Sequence, residues 1–189
     1  MPYLLRATLF LIQTIFGFFI VMFLLRTMLI AVGASFYDPI CQFVYKLTNP
    51  VITPLRRFVP RWRNIEFASL LVAWLLVALE FLLLYSLFSP EVPWLAWLPR
   101  AFVETLDWVI LIELGAIFVY CLLSFFPSLR YDDNYRLLDR FVAPVVRPFR
   151  RIAPPLGGLD FSCWFAGIAL MLARILLIAP LMDLAGTLG

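Results

Sequence analysis

Four ionisable residues stand inside otherwise apolar runs of this chain: Arg26, Glu80, Glu113 and Arg174. A charge at the bilayer centre costs at least about 2.5–3.5 kcal/mol, so such residues pair, or face protein or water. Glu80 and Arg174 carry the most information because they are 94 positions apart. The same offset relates "NPVITPLRRFVP", from Asn49 to Pro60, to "APVVRPFRRIAP", from Ala143 to Pro154. Each of the two charges also lies fourteen residues after an acid, Glu66 or Asp160. On a helix that is about 21 Å of axial travel. Equal depth and opposite sign predict an ion pair near a twofold pseudo-axis between the two helices. Small residues on the same faces, Ser69 and Ala73 in one copy, Cys163 and Gly167 in the other, favour close approach there. Such a pair either fixes helix register or lines an ion path. Glu113 is the alternative partner for Arg174. Arg26 is expected to snorkel to the nearby interface, and Asp107 and Asp183, close to span ends, to be solvated.

The second candidate chemistry is basic. Arg56-Arg57 and Arg150-Arg151 sit in a frame of prolines: Pro50, Pro54 and Pro60 in one copy, Pro144, Pro148 and Pro154 in the other. A guanidinium meets phosphate with a fork of donors, and each cation near an anionic leaflet contributes about 1 kcal/mol. These ten residues therefore form the candidate docking surface for anionic phospholipid or for a protein partner. Two short dibasic motifs are too narrow for nucleic acid, which wants broader patches. The chain has no His, and Cys41, Cys121 and Cys163 have no CxxC spacing. No metal, cofactor or nucleophile–base set is expected from such an inventory, and so no enzyme.

The elements that must hold these residues follow from composition. The 189 residues are 64% hydrophobic, with a mean hydropathy of +0.98. A small soluble fold cannot hide that much apolar surface. About twenty apolar residues cross a bilayer as a helix, and four stretches qualify: residues 8–32, 67–88, 105–126 and 161–184. The first is too long for a cleaved leader and encloses Arg26. Lys46, Arg56, Arg57, Arg61 and Arg63 lie between spans one and two, and Arg130, Arg136, Arg140, Arg147, Arg150 and Arg151 between spans three and four. Only Arg6 and Arg100 lie on the opposite side. Positive residues mark the cytoplasmic side, so both basic loops are expected inside and both termini outside. Trp94 and Trp97, in the linker Ser89–Pro99, suit the outer aromatic belt.

The expected fold is an all-α membrane protein of two parallel repeats, each a span, a basic loop and a span. Residues 1–90 form the first repeat, 91–104 an external linker and 105–189 the second. Ile40, Phe43, Val44 and Leu47, and in the second copy Leu137, Leu138 and Phe141, predict a short amphipathic interfacial helix in each loop. Asp38 before Pro39 starts the first of these, and Pro50 is expected to stop it by Asn49.

The doubled P-x-x-x-P-x-R-R-x-x-P, each copy followed by an acid and a Phe (Glu66-Phe67, Asp160-Phe161), resembles the signature of the YggT family, which includes the YlmG proteins and plastid relatives. The likeness covers both repeats. The family usually has Asp where the first copy has Glu66. What the resemblance implies is a small protein of the bacterial inner membrane linked to division and nucleoid organisation, to osmotic-stress tolerance with potassium uptake, or, in plastids, to cytochrome complex assembly. The expected function is thus a non-enzymatic membrane scaffold or assembly factor that holds lipid, a protein partner or a second copy of itself. The alternative is an ion channel or transporter, or its accessory subunit, using Glu80 and Arg174.

Overall fold

A computed structural model of the chain describes residues 2–35, 38–57, 59, 65–88, 97–126, 132–151 and 162–187. Among these residues every regular element is helical. In chain order they are α1 (Pro2–Ala31), α2 (Pro39–Leu55), α3 (Phe67–Phe88), α4 (Trp97–Ser124), α5 (Asp133–Arg150), α6 (Ser162–Ala173), a π-helical turn (Arg174–Ile178) and α7 (Ala179–Thr187). Four helices are long and apolar enough to cross a membrane: α1, α3, α4 and the α6–α7 rod. Large side chains on their outer faces, such as Phe10, Phe118, Trp164 and Leu176, are exposed, as lipid contact requires.

α1 packs along α3, α3 on α4, and α4 on the α6–α7 rod. α4 therefore stands between the second and fourth spans, and α3 and α6 form no packed interface with each other. The expected pseudo-axis between those two spans is not there. The α3–α4 interface also has no counterpart between α6 and α1, so the duplicated units do not close into a symmetric pair.

α4 begins at Trp97, eight residues before the expected start at Thr105. Pro99 falls in its first turn, where the missing N–H has no intrahelical acceptor to lose. The effect is to carry Asp107 a further two turns into the span. Trp97 stacks on Tyr85 with ring centroids 5.9 Å apart. Arg100 donates to the Tyr85 hydroxyl at 2.9 Å, tying α4 to the end of α3. Trp94 lies outside the described residues.

The loop helices are longer than expected. α2 runs through Pro50 and Pro54, and α5 through Pro144 and Pro148. All four prolines are exposed, so the carbonyls four residues earlier that lose a donor face outward rather than into the core. Pro60 and Pro154 lie outside the described residues. The buried stripe of α2 is Cys41, Val44, Tyr45, Thr48 and Ile52, whereas Ile40 and Phe43 are exposed. α5 buries Leu137, Phe141, Val142, Ala143 and Val146. Both helices are docked on spans, α2 on α1 and α5 on α4 and α6. The chain enters α2 through Gly33, whose φ of +66° is the left-handed conformation that glycine tolerates best. Ala34 N–H donates to Leu29 O and Gly33 N–H to Ile30 O, the paired bonds of a Schellman stop.

Near the other end of the chain, Ala179 N–H donates to Arg174 O, five residues back. Pro180 follows at once, and its ring would press on the carbonyl of Leu176 in an unbroken α-helix. One wide turn relieves that clash.

Candidate functional site

Arg26 is fully buried and does not snorkel. Its Nε donates to Glu66 Oε2 at 2.6 Å and its Nη2 to Glu66 Oε1 at 3.4 Å. Nη1 donates to Thr48 Oγ1 at 2.7 Å and to Asn49 Oδ1 at 2.9 Å. The Tyr45 ring lies 4.9 Å from the guanidinium carbon. Glu66, immediately before α3, also accepts from Arg56 Nε at 2.8 Å, Arg56 Nη2 at 2.6 Å and Ser69 Oγ at 2.7 Å. Three helices and the residue before α3 thus converge on one carboxylate with two guanidiniums. Burial alone pushes the Glu66 carboxyl up, but the hydrogen bonds from Arg26, Ser69 and Arg56 outweigh it and hold the group below the usual carboxylate range.

This geometry divides the dibasic motif. Arg56 turns in to Glu66, while Arg57 is exposed. The second copy repeats the division. Arg150 donates to Asp139 Oδ1 at 2.7 Å and to the Tyr120 hydroxyl at 2.6 Å, while Arg151 is exposed. The partners differ, however. At the 94-residue offset Arg26 becomes Tyr120 and Tyr45 becomes Asp139, so the second copy has an additional acid on the loop helix. Asp160 lies outside the described residues. Pro50, Pro54, Pro144 and Pro148 lie on the exposed faces of α2 and α5.

The outward face of α5 carries Arg136, Arg140, Arg147 and Arg151, all exposed and spaced to lie on one side of the helix. Lys46 and Arg57 occupy on α2 the positions of Arg140 and Arg151. Each loop helix therefore presents a basic face outward and an apolar face to the spans.

In the spans the expected pairing changes. Arg174 holds Asp107, with Nε to Oδ1 at 2.5 Å and Nη2 to Oδ2 at 2.8 Å. Neither Glu80 nor Glu113 is its partner. α4 intervenes between the helices that carry Glu80 and Arg174, and the early start of α4 brings Asp107 to the guanidinium. Asp107 is buried rather than solvated. Glu80 is half-buried, makes no ion pair among the described residues, and has the like charge of Glu104 as its electrostatic neighbour. Beside the Asp107–Arg174 pair a cavity of about 460 Å³ is lined by Glu104, Met182 and Asp183 among others. Glu113 is buried elsewhere on α4, and its Oε1 has no hydrogen-bond partner.

Sequence reasoning found Arg26 and Glu66 separately but did not join them; forty residues separate the two, and no repeat spacing links them. Asp107 was expected to be solvated because a span that starts at Thr105 puts it near the end; the start at Trp97 buries it.

A bundle of four apolar helices, with two basic loop helices docked on it, defines a polytopic membrane protein built by tandem duplication. The chain belongs to the CCB3/YggT family, whose sequence model matches residues 5–87 and 99–181, two copies at the same 94-residue offset. It is 36% identical over 177 residues to an uncharacterised protein of Vibrio alginolyticus encoded beside proC, covering 89% of this chain and 91% of that one. It is 31% identical over 185 residues to an uncharacterised Pseudomonas aeruginosa protein, covering 95% and 92%. Over 155 residues it is 34% identical to the uncharacterised protein YggT of Escherichia coli strain K12, covering 81% and 79%. No solved structure matches.

Two predictions follow from the charges. Glu66→Gln leaves Arg26 buried without its counter-charge and should cost about 3–5 kcal/mol in unfolding assays in detergent. Because the folded carboxyl titrates below the ordinary value of 4.5, the stabilisation is complete above that pH and lost as pH falls through the folded value. The acid limb of the unfolding profile should shrink in Glu66→Gln. In the spans, Asp107→Asn and Arg174→Gln should each cost about 2–3 kcal/mol, less than a fully buried pair because Arg174 is partly exposed. Glu80→Gln should stay within about 0.5 kcal/mol. Equal damage from Glu80→Gln and Asp107→Asn would refute the pairing described here.

Proposed function

We propose that the protein is a non-enzymatic scaffold of the bacterial inner membrane that docks anionic phospholipid through the basic outer faces of α2 and α5. The observation that carries this reading is the division of each dibasic motif. One arginine, Arg56 or Arg150, ties the loop helix to the protein, and the next, Arg57 or Arg151, is left exposed in line with Lys46 or with Arg140 and Arg147. A helix held rigidly with cations on its outer face suits the phosphate plane of a leaflet, and needs no ordering of a loop on contact. A protein partner with an acidic surface would use the same face. A role in division or in osmotic-stress tolerance rests on the family resemblance. The transport alternative draws on the acidic cavity beside Arg174, whose guanidinium is already closed by Asp107.

The basic faces also support the orientation with both loops in the cytoplasm and both termini outside. Reporter fusions after Arg57 and after Arg151 should read cytoplasmic, and a fusion at Trp97 external; a cytoplasmic signal at Trp97 would reverse the assignment.

The lipid reading is tested by exchanging the outward arginines alone. Arg57→Gln with Arg151→Gln removes about 2 kcal/mol of attraction and should weaken phosphatidylglycerol retention roughly thirtyfold after mild solubilisation, with little change in thermal stability. Arg56→Gln and Arg150→Gln should do the reverse. Undiminished lipid in the outward variant would move the reading to a protein partner.

A further inference from the structure

We propose that the cavity at Glu113 is a binding site for a small lipophilic ammonium ion. The cavity measures about 300 Å³ and lies where four helices meet: Met28 and Val32 at the end of α1, Ile110 in α4, Phe141 and Val145 in α5, and Leu170 in α6. Every one of these side chains is apolar. Glu113 is 7% exposed, lines the same cavity, and its Oε1 is buried without a hydrogen-bond partner. The ion pairs among the described residues use Glu66, Asp107, Asp133 and Asp139, and none reaches Glu113.

Elimination points to the ligand. Ordered water needs two to four polar partners, and this lining supplies one side chain. A hard divalent cation needs about six oxygen ligands. A wholly apolar guest would fill the space, about twice the ~150 Å³ that admits a benzene, but would leave Glu113 Oε1 without a polar partner. An amphiphile with one ammonium group and a short apolar body satisfies both features. Its cation meets Glu113, and its body takes the place of lipid among the aliphatic walls. The volume is at the lower end of the range for small-molecule sites. The site is separate from the basic outer faces and does not depend on what they bind.

The experiment measures binding of 3-phenylpropylammonium and of its neutral match 3-phenylpropanol to the full-length protein in detergent, by calorimetry or ligand-observed NMR. The wild type should bind the ammonium ion about tenfold more tightly than the alcohol. Glu113→Gln should bring the two probes level. Val145→Phe, which fills the cavity without touching the charge, should abolish both. Glu104→Gln, at the other cavity, should change neither. Equal affinities in the wild type, unchanged ammonium binding in Glu113→Gln, or no saturable binding at all would overturn the proposal. If Glu113→Gln does not yield a folded protein, Val145→Phe decides it: ammonium binding that survives there overturns the site.

Discussion

A guanidinium cannot stand bare among lipid chains, and the architecture of the first repeat follows from how Arg26 is satisfied. Its donors are taken up by Glu66, Thr48 and Asn49, which come from the start of α3 and from the middle of α2. Meeting that one requirement fixes where α2 must lie, how deep α3 must begin, and which way Arg56 must turn. The carboxylate cannot be left alone either, and five hydrogen bonds from Arg26, Arg56 and Ser69 converge on it. The cluster holds two positive groups against one negative. Its surplus sits on the half-exposed Arg56, beside the outward face that bears Arg57.

Duplication supplied two copies of this frame, and the copies solve the same problem differently. In the second, Tyr120 stands at the place of Arg26. Arg150 meets Asp139, three turns earlier on the same helix, and the Tyr120 hydroxyl. Among the described residues the second copy thus adds an ion pair local to α5, whereas the cluster of the first joins three helices. A second departure is the π-turn that begins at Arg174, just ahead of Pro180, in the rod whose guanidinium meets Asp107. The spans pack in an order that leaves α3 against α4 without a matching contact between α6 and α1, so identical register along the chain does not become identical surroundings in space.

The four spans, the doubling and the family were legible in the sequence because each rests on local information: run length, mean hydropathy, and a repeated spacing of Pro and Arg. The basic outer faces were not legible: a helix expected to stop at its first proline leaves Arg147 and Arg151 off it, and only the continuation of α5 through Pro144 and Pro148 sets them in line with Arg140. Asp38 and Pro39 marked the start of α2 correctly, but its end was misjudged. A proline breaks a helix when the carbonyl it orphans is buried; at Pro50 and Pro54 that carbonyl faces outward, and exposure is a tertiary property.

Which charges meet was decided by the tertiary structure alone. Arg26 and Glu66 are forty residues apart, and Asp107 and Arg174 sixty-seven. Equal depth within the repeats made Glu80 and Arg174 natural partners on paper, yet depth fixes only one of the coordinates that an ion pair needs. The other is which helices are neighbours, and that is set by how side chains on all four spans interlock, an outcome that no single segment encodes. Once α4 lies between α3 and the α6–α7 rod, Arg174 takes the acid that α4 presents, and Glu113, six residues further along α4, is left facing an apolar cavity.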